Sequence, residues 1–164
     1  MLRDKNLIPL SHQHQRALAL CVRIERASPI PEHDLEVWQD EISQHCRAEI
    51  ALHFAAEEMV VFPRARGFEE LHALVDELSA DHALLRGTCE RAERRSLSSA
   101  DLLNFSRQLS THIRKEERQL FERLQELLSS NELAHIGEGL TDALKTLSQA
   151  CVIPTEQTKL RPTK

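Results

Sequence analysis

Two stretches of the chain carry the same ten-residue pattern, and no other feature restricts the fold as strongly. The first is His53-Phe54-Ala55-Ala56-Glu57-Glu58-Met59-Val60-Val61-Phe62, and the second is His112-Ile113-Arg114-Lys115-Glu116-Glu117-Arg118-Gln119-Leu120-Phe121. Both read His-x-x-x-Glu-Glu-x-x-x-Phe. On a helix, residues i and i+4 sit one turn apart on the same face. Each copy therefore sets an imidazole beside a carboxylate. One such pair is ordinary solvated surface; two copies with the same flanks, on separate helices, require a common cause.

The apolar residues around these copies recur with the helical period. A first helix is expected over residues 11–27, with a stripe through Leu10, His14, Leu18 and Cys21. Ser28-Pro29-Ile30-Pro31 ends it, because proline lacks an N–H and disfavours helix in the residue before it. A second is expected from Asp34 to Val61 or Arg64, with its stripe through Trp38, Ile42, Cys46, Glu49, His53, Glu57 and Val60. A third covers residues 68–94 through Leu71, Leu74, Leu78, His82, Leu85, Cys89 and Ala92. Ser98 and Asp101 form a capping-box pattern before a fourth helix, which runs to Leu128 through Leu102, Phe105, Leu109, His112, Glu116, Leu120 and Leu124. A cap at Ser130 starts a shorter helix over residues 131–147, weakened by Gly137 and Gly139. The expected fold is all-α: an up-down-up-down four-helix bundle with a short extra C-terminal helix. One domain is expected over residues 1–150, followed by a polar, disordered tail over 151–164.

His14, His53, Glu57, His82, His112 and Glu116 all fall on the apolar stripes, and each long helix contributes at least one. In a bundle these stripes meet in one core. A buried carboxylate costs several kcal/mol unless a cation compensates it, and each imidazole needs partners for both ring nitrogens. A metal centre meets both demands. Imidazole with carboxylate suits iron, zinc or manganese, and a thiolate is missing from the set. A lone core histidine is more often hydrogen-bonded than metal-bound; the six together reverse that balance.

Other polar residues earn less. Glu58 and Glu117 lie one position off the stripe and are expected to support the ligands or face solvent. Glu49 either orients His53 or sits at the rim, and His12 joins the site only if the first helix begins after it. His33, His45, His72 and His135 are expected at the surface. Cys21, Cys46 and Cys89 are expected as buried free thiols, and the four cysteines contain no C-x-x-C pair for a structural zinc. A net charge of -5 argues against binding nucleic acid. No apolar run approaches the ~18 residues of a membrane span, and no apolar signal core follows Met1-Leu2-Arg3-Asp4-Lys5, so a cytoplasmic location is expected.

These residues resemble the hemerythrin-like, or HHE cation-binding, family. Leu10 through Leu18 is similar to its first-helix histidine segment, Leu52 through Pro63 to its second-helix pattern, Asp81 through Arg86 to its third-helix histidine, and His112 through Phe121 to its fourth-helix pattern. The resemblance covers residues 8–128 and implies an antiparallel four-helix bundle around two non-heme iron ions, bridged by carboxylates and an oxo or hydroxo species. It implies His14, His53, His82 and His112 as terminal ligands, with Glu57 and Glu116 bridging. Oxygen-carrying members have a second third-helix histidine four residues from the first; here those positions are Leu78 and Arg86. They also use His-x-x-x-x-Asp on the fourth helix, where this chain has His-x-x-x-Glu. The missing ligand turns the expectation away from reversible oxygen carriage. It favours binding or reaction of a small diatomic or peroxide ligand (dioxygen, hydrogen peroxide or nitric oxide) in sensing or detoxification. A metal-dependent regulatory module without turnover is the alternative.

Overall fold

The computed structural model describes residues 2–145, 155 and 157–159. It is all-helical, with five helices and no strand among the described residues. α1 is Ile8–Ala27. It begins three residues before the expected Ser11, because Pro9 sits in its first turn, where a missing N–H is harmless. α2 covers residues 35–65 and enters through a 3₁₀ turn at Glu32–Asp34. α3 is His72–Glu93, α4 covers residues 99–127, and α5 is Ser130–Leu144.

The caps follow local chemistry. Ser98 and Asp101 form the expected reciprocal box at the start of α4. The second box lies one residue earlier than the sequence suggested: Ser129, not Ser130, caps α5 by pairing with Glu132. The expected end of that helix at 147 falls outside the described residues. α3 ends where Arg95 turns to φ 53° and the Ser96 N–H donates back to Arg91 O at 3.0 Å.

Two helices are not uniformly α-helical. π-helical turns interrupt α2 at Cys46–Ile50 and Glu57–Val61, and α4 at Glu116–Leu120. Two of the three begin at the first glutamate of a repeated pattern.

The core divides into two apolar clusters. One gathers Leu10 of α1, Phe62 of α2, Leu78 of α3 and Leu124 of α4. The other gathers Leu20, Ile42, Leu85 and Leu102 from the same four helices. Chain direction alternates between the clusters from helix to helix, which is the up-down-up-down order. His14, His53, Glu57, His82, His112 and Glu116 occupy the positions between the clusters, all buried. α5 lies across the Ala51–Val61 stretch of α2 and adds Leu133, Ile136 and Leu140 to the first cluster.

Two expectations are corrected here. Cys46 and Cys89 are not free thiols but a disulfide joining α2 to α3; only Cys21 is free among the described cysteines. Helical periodicity places both side chains inward but does not show that they face each other. His45 is buried, not at the surface, because it faces the α1–α2 seam one turn from the buried Glu41. The tail expected to be disordered lies mostly outside the described residues. Thr158, however, is buried, and its carbonyl accepts from Arg23 Nη1 at 2.7 Å. Arg23 is itself paired with the buried Glu41, so this turn helps satisfy a desolvated guanidinium.

Gly137 and Gly139 weaken α5 as an isolated helix but allow its approach. A Cβ on Gly139 would stand 2.9 Å from Val60 Cγ1, whereas one on Gly87 of α3 would meet nothing within 4 Å. Gly87→Ala should stabilise the protein by up to about 1 kcal/mol through helix propensity. Gly139→Ala should instead destabilise it by about 1 kcal/mol through overpacking. Urea unfolding of the two variants checks this, and equal stabilisation by both would remove the close-approach argument.

Candidate metal centre

The centre is built from the repeated pattern, and every pattern position has a contact that explains it. His53 and Glu57 stand one α-helical turn apart, with Nε2 to Oε1 at 3.2 Å; His112 and Glu116 repeat this at 3.2 Å. Glu58 of α2 reaches across to the histidine of α3, and Glu117 of α4 to the histidine of α1. His82 Nδ1 donates to Glu58 Oε1 at 2.8 Å, and His14 Nδ1 donates to Glu117 Oε1 at 2.7 Å. The closing phenylalanines stack on those same rings: Phe62 on His82 at 5.2 Å and Phe121 on His14 at 5.7 Å between centroids.

The step from glutamate to phenylalanine is five residues, which on an α-helix would point the two side chains well apart. The π turn removes this mismatch. The N–H of Phe62 donates to Glu57 O, and that of Phe121 donates to Glu116 O, each across five residues. The wider turn brings carboxylate and ring to one face.

The carboxylates that hold the histidines are themselves held. Arg86 donates to both oxygens of Glu58, at 2.8 and 3.0 Å. Arg3 Nη2 donates to Glu117 Oε2 at 2.6 Å, and Ser11 Oγ donates to Oε1 at 2.7 Å. His53 Nδ1 donates to the buried Gln13 Oε1 at 2.5 Å. Such partners fix ring orientation and tautomer. With Nδ1 donating, His14, His53 and His82 each direct a bare Nε2 inward when neutral.

Those inward nitrogens converge with the two carboxylates. His14, His53, Glu57 and Glu116 present ligand atoms within 4.8 Å of one another, and so do Glu57, His82, His112 and Glu116. Both glutamates belong to both groups. His14 Nε2 lies 2.9 Å from His53 Nε2 and 3.1 Å from Glu116 Oε2. All four oxygens of Glu57 and Glu116, and Nε2 of His82 and His112, are buried without a hydrogen-bond partner. Buried oxygens at full negative charge need positive charge beside them, and cations between the carboxylates and the imidazole nitrogens would supply it. The donor set therefore fits a metal site of nitrogen and oxygen ligands.

Electrostatics agree. Burial pushes the His14 imidazole down, but the Glu116 and Glu117 carboxylates outweigh it and raise it to about 10. Burial likewise lowers His82, while Glu116 and Glu57 raise it to about 9. Burial pushes Glu57 and Glu116 up, yet the surrounding imidazoles hold both below the ordinary carboxylate range, Glu116 well below. Without metal, protons on His14 and His82 supply the positive charge that the carboxylates need.

The remaining residues sort cleanly. His12 is exposed on α1, which starts before it, so it is not part of the site. Glu49 is buried and accepts from Arg16 Nε at 2.8 Å rather than from His53. A cavity of about 20 Å³, counted as room for the centre of a water-sized sphere, reaches His14, His53 and His112, and Gln13, His45 and Glu49 line it. That holds one or two waters. Gln13, His45 and Arg3 were missed in the sequence. Gln13 lies next to His14, which is its only signal; Arg3 gives none.

The model of the Hemerythrin HHE cation binding domain family matches residues 9–124, and the chain belongs to that family. No curated protein and no solved structure shows a significant match. The domain binds metal cations, and the two histidine–glutamate groups fit such a site. No helix among the described residues is long and apolar enough to cross a membrane.

Glu58→Gln and Glu117→Gln should each lower metal affinity about 10- to 100-fold while preserving metal stoichiometry. Competition with a chelator of known affinity measures this; unchanged affinity in both would reduce these carboxylates to surface groups. The raised histidines also set a pH dependence. In metal-free protein their stabilising contribution is complete below the ordinary value of 6.5 and is lost as pH rises through about 9 and about 10. The unfolding temperature of chelator-treated protein should therefore fall from neutral pH to about 10. Metal-loaded protein should fall less, and identical profiles would contradict the assignment of those protons.

Proposed function

We propose that the protein holds two iron ions between Glu57 and Glu116. In this reading His14 and His53 would hold one ion and His82 and His112 the other, with Glu57 and Glu116 shared between the two groups. The protein then binds or reacts with a small oxidant or diatomic ligand (dioxygen, hydrogen peroxide or nitric oxide) in sensing or detoxification. The observation that carries this is the double membership of the two glutamates: each belongs to both ligand groups, which supports a pair of ions over one. Iron there would supply one-electron redox chemistry and open positions for a ligand.

The protein's own groups do the rest. The apolar clusters on both sides exclude bulk water from the centre. The small cavity at His14, His53 and His112 supports a ligand of a few atoms. Glu58 and Glu117 keep His82 and His14 turned inward with their Nε2 atoms free of protons once metal is bound. Tyr is absent, so a tyrosyl radical is not available.

The same buried carboxylates support a second reading, in which metal occupancy is the signal and no turnover occurs. Removing the cations leaves two carboxylates facing each other in the core, which would loosen the bundle. Chelation should then cause a large loss of helicity, and reactivity toward oxidants should be negligible.

Anaerobic purification with metal analysis tests the first reading. About two irons per chain are expected, with near-ultraviolet absorption appearing on oxidation. Glu57→Ala and Glu116→Ala should each abolish stoichiometric binding. Two irons retained in either variant would overturn the ligand assignment, and a folded protein that takes up no iron would overturn the reading.

A further inference from the structure

The bonded cysteine pair lies close to the centre, and the site described above makes no use of it. Cys46 stands seven residues before His53 on α2, and Cys89 stands seven residues after His82 on α3. Seven residues are about two turns, so each sulfur lies roughly 10 Å along the bundle from a ligand histidine on its own helix. Both are on the same side of the polar layer. Cys46 belongs to the second apolar cluster and Cys89 packs against it. Phe54 belongs to that cluster too, and its ring stacks on His82 at 3.8 Å with an interplanar angle of 13°. The space between sulfur and ligand is therefore filled by packed side chains, an aromatic ring among them.

The pair is also within reach of the outside. Cys89 is only half-buried. Cys21, in the same cluster, differs: it is buried and unbonded, and burial pushes its thiol up to about 12, which keeps it protonated and inert.

We propose that Cys46 and Cys89 are a redox couple that supplies the two electrons for reducing a hydroperoxide at the metal centre. This inference rests on the two-iron reading above. Two S–H bonds break and one S–S bond forms. The peroxide O–O bond breaks, its oxygens gain two electrons, and the two thiol protons end on the products. The balance is 2 Cys–SH + ROOH → Cys–S–S–Cys + ROH + H₂O. Each sulfur lies roughly 10 Å along the bundle from a ligand histidine, so the electrons travel to the centre through the packed cluster, and two one-electron metal ions match two thiols. An external dithiol, oxidised in turn to its own disulfide, resets the pair by exchange. The bonded state in this structure is the spent form.

The test uses the full chain loaded anaerobically with iron(II), in two forms: disulfide intact, and disulfide reduced and freed of excess reductant. One equivalent of hydrogen peroxide per chain is added. Ferrous iron is then read with a chromogenic chelator, and Cys46 and Cys89 by alkylation and peptide mapping. In the reduced form, iron should return to the ferrous state as both cysteines lose their alkylation sites. In the disulfide form, iron should stay ferric. Reduced protein loaded with zinc instead should keep both thiols after the same peroxide. Ferric iron persisting in the reduced form, or ferrous iron returning in the disulfide form, would overturn the inference and leave the metal reading intact; so would equal thiol loss in the zinc protein. In that case the bond is only a staple between α2 and α3. Failure to take up two irons would overturn the proposed function, and this inference with it.

Discussion

Two carboxylates facing each other in a water-free layer are the constraint on which this structure depends. Glu57 and Glu116 are both fully buried, and neither has a hydrogen-bond donor for its oxygens. Paired anions in such a place would drive the helices apart. Imidazoles around them supply positive charge, as protons on His14 and His82 when metal is absent. The two apolar clusters that flank the layer provide the hydrophobic free energy that holds this arrangement together. The bundle is therefore two small cores joined through a charged waist, and its stability and its metal chemistry are linked through the same six side chains.

Around that waist, the repeated pattern works as a unit that serves two helices at once. Its histidine and first glutamate face the candidate metal centre. Its second glutamate and its phenylalanine grip the histidine of the neighbouring helix, by a hydrogen bond and by stacking. α2 does this for α3, and α4 does it for α1. The arginines that steady the gripping carboxylates come from different places: Arg86 lies one turn beyond His82, and Arg3 precedes α1 altogether. The two halves thus reach the same geometry without the same sequence, which is why the repeat is clear in α2 and α4 and faint in α1 and α3.

Helical period alone carried much of the fold and the six inward residues, because buried positions on a long helix must recur every three or four residues. The π turns were not legible, since one extra residue in a turn leaves no compositional mark. The only trace was the five-residue step from Glu57 to Phe62 and from Glu116 to Phe121, which fits no α-helical face. Side chains that meet across helices were also hidden. The Cys46–Cys89 bond, the burial of His45 beside Glu41, and the grip of Gln13 on His53 depend on how helices are rotated against each other, and a single sequence does not encode that openly. Gly137 and Gly139 read as weaknesses because propensity considers a helix alone; their use emerges only when α5 meets Asn6 and Val60.

The missing third-helix ligand gains meaning from the same contacts. Leu78, four residues before His82, is fully buried and fills the first apolar cluster, so that position has been given to packing. Arg86, four residues after, holds Glu58, which holds His82. α3 therefore contributes one ligand and uses the next turn to orient it. Each ligand group is left with two histidines and a share of two carboxylates. Equal ligand counts do not make the two sides equivalent, because the cavity reaches His14, His53 and His112 but not His82. Phe54 and Phe62 stack on the His82 ring instead, at 3.8 and 5.2 Å, and close that side. Packing rather than ligand number thus makes the two sides differ: the open space at the centre lies beside α1.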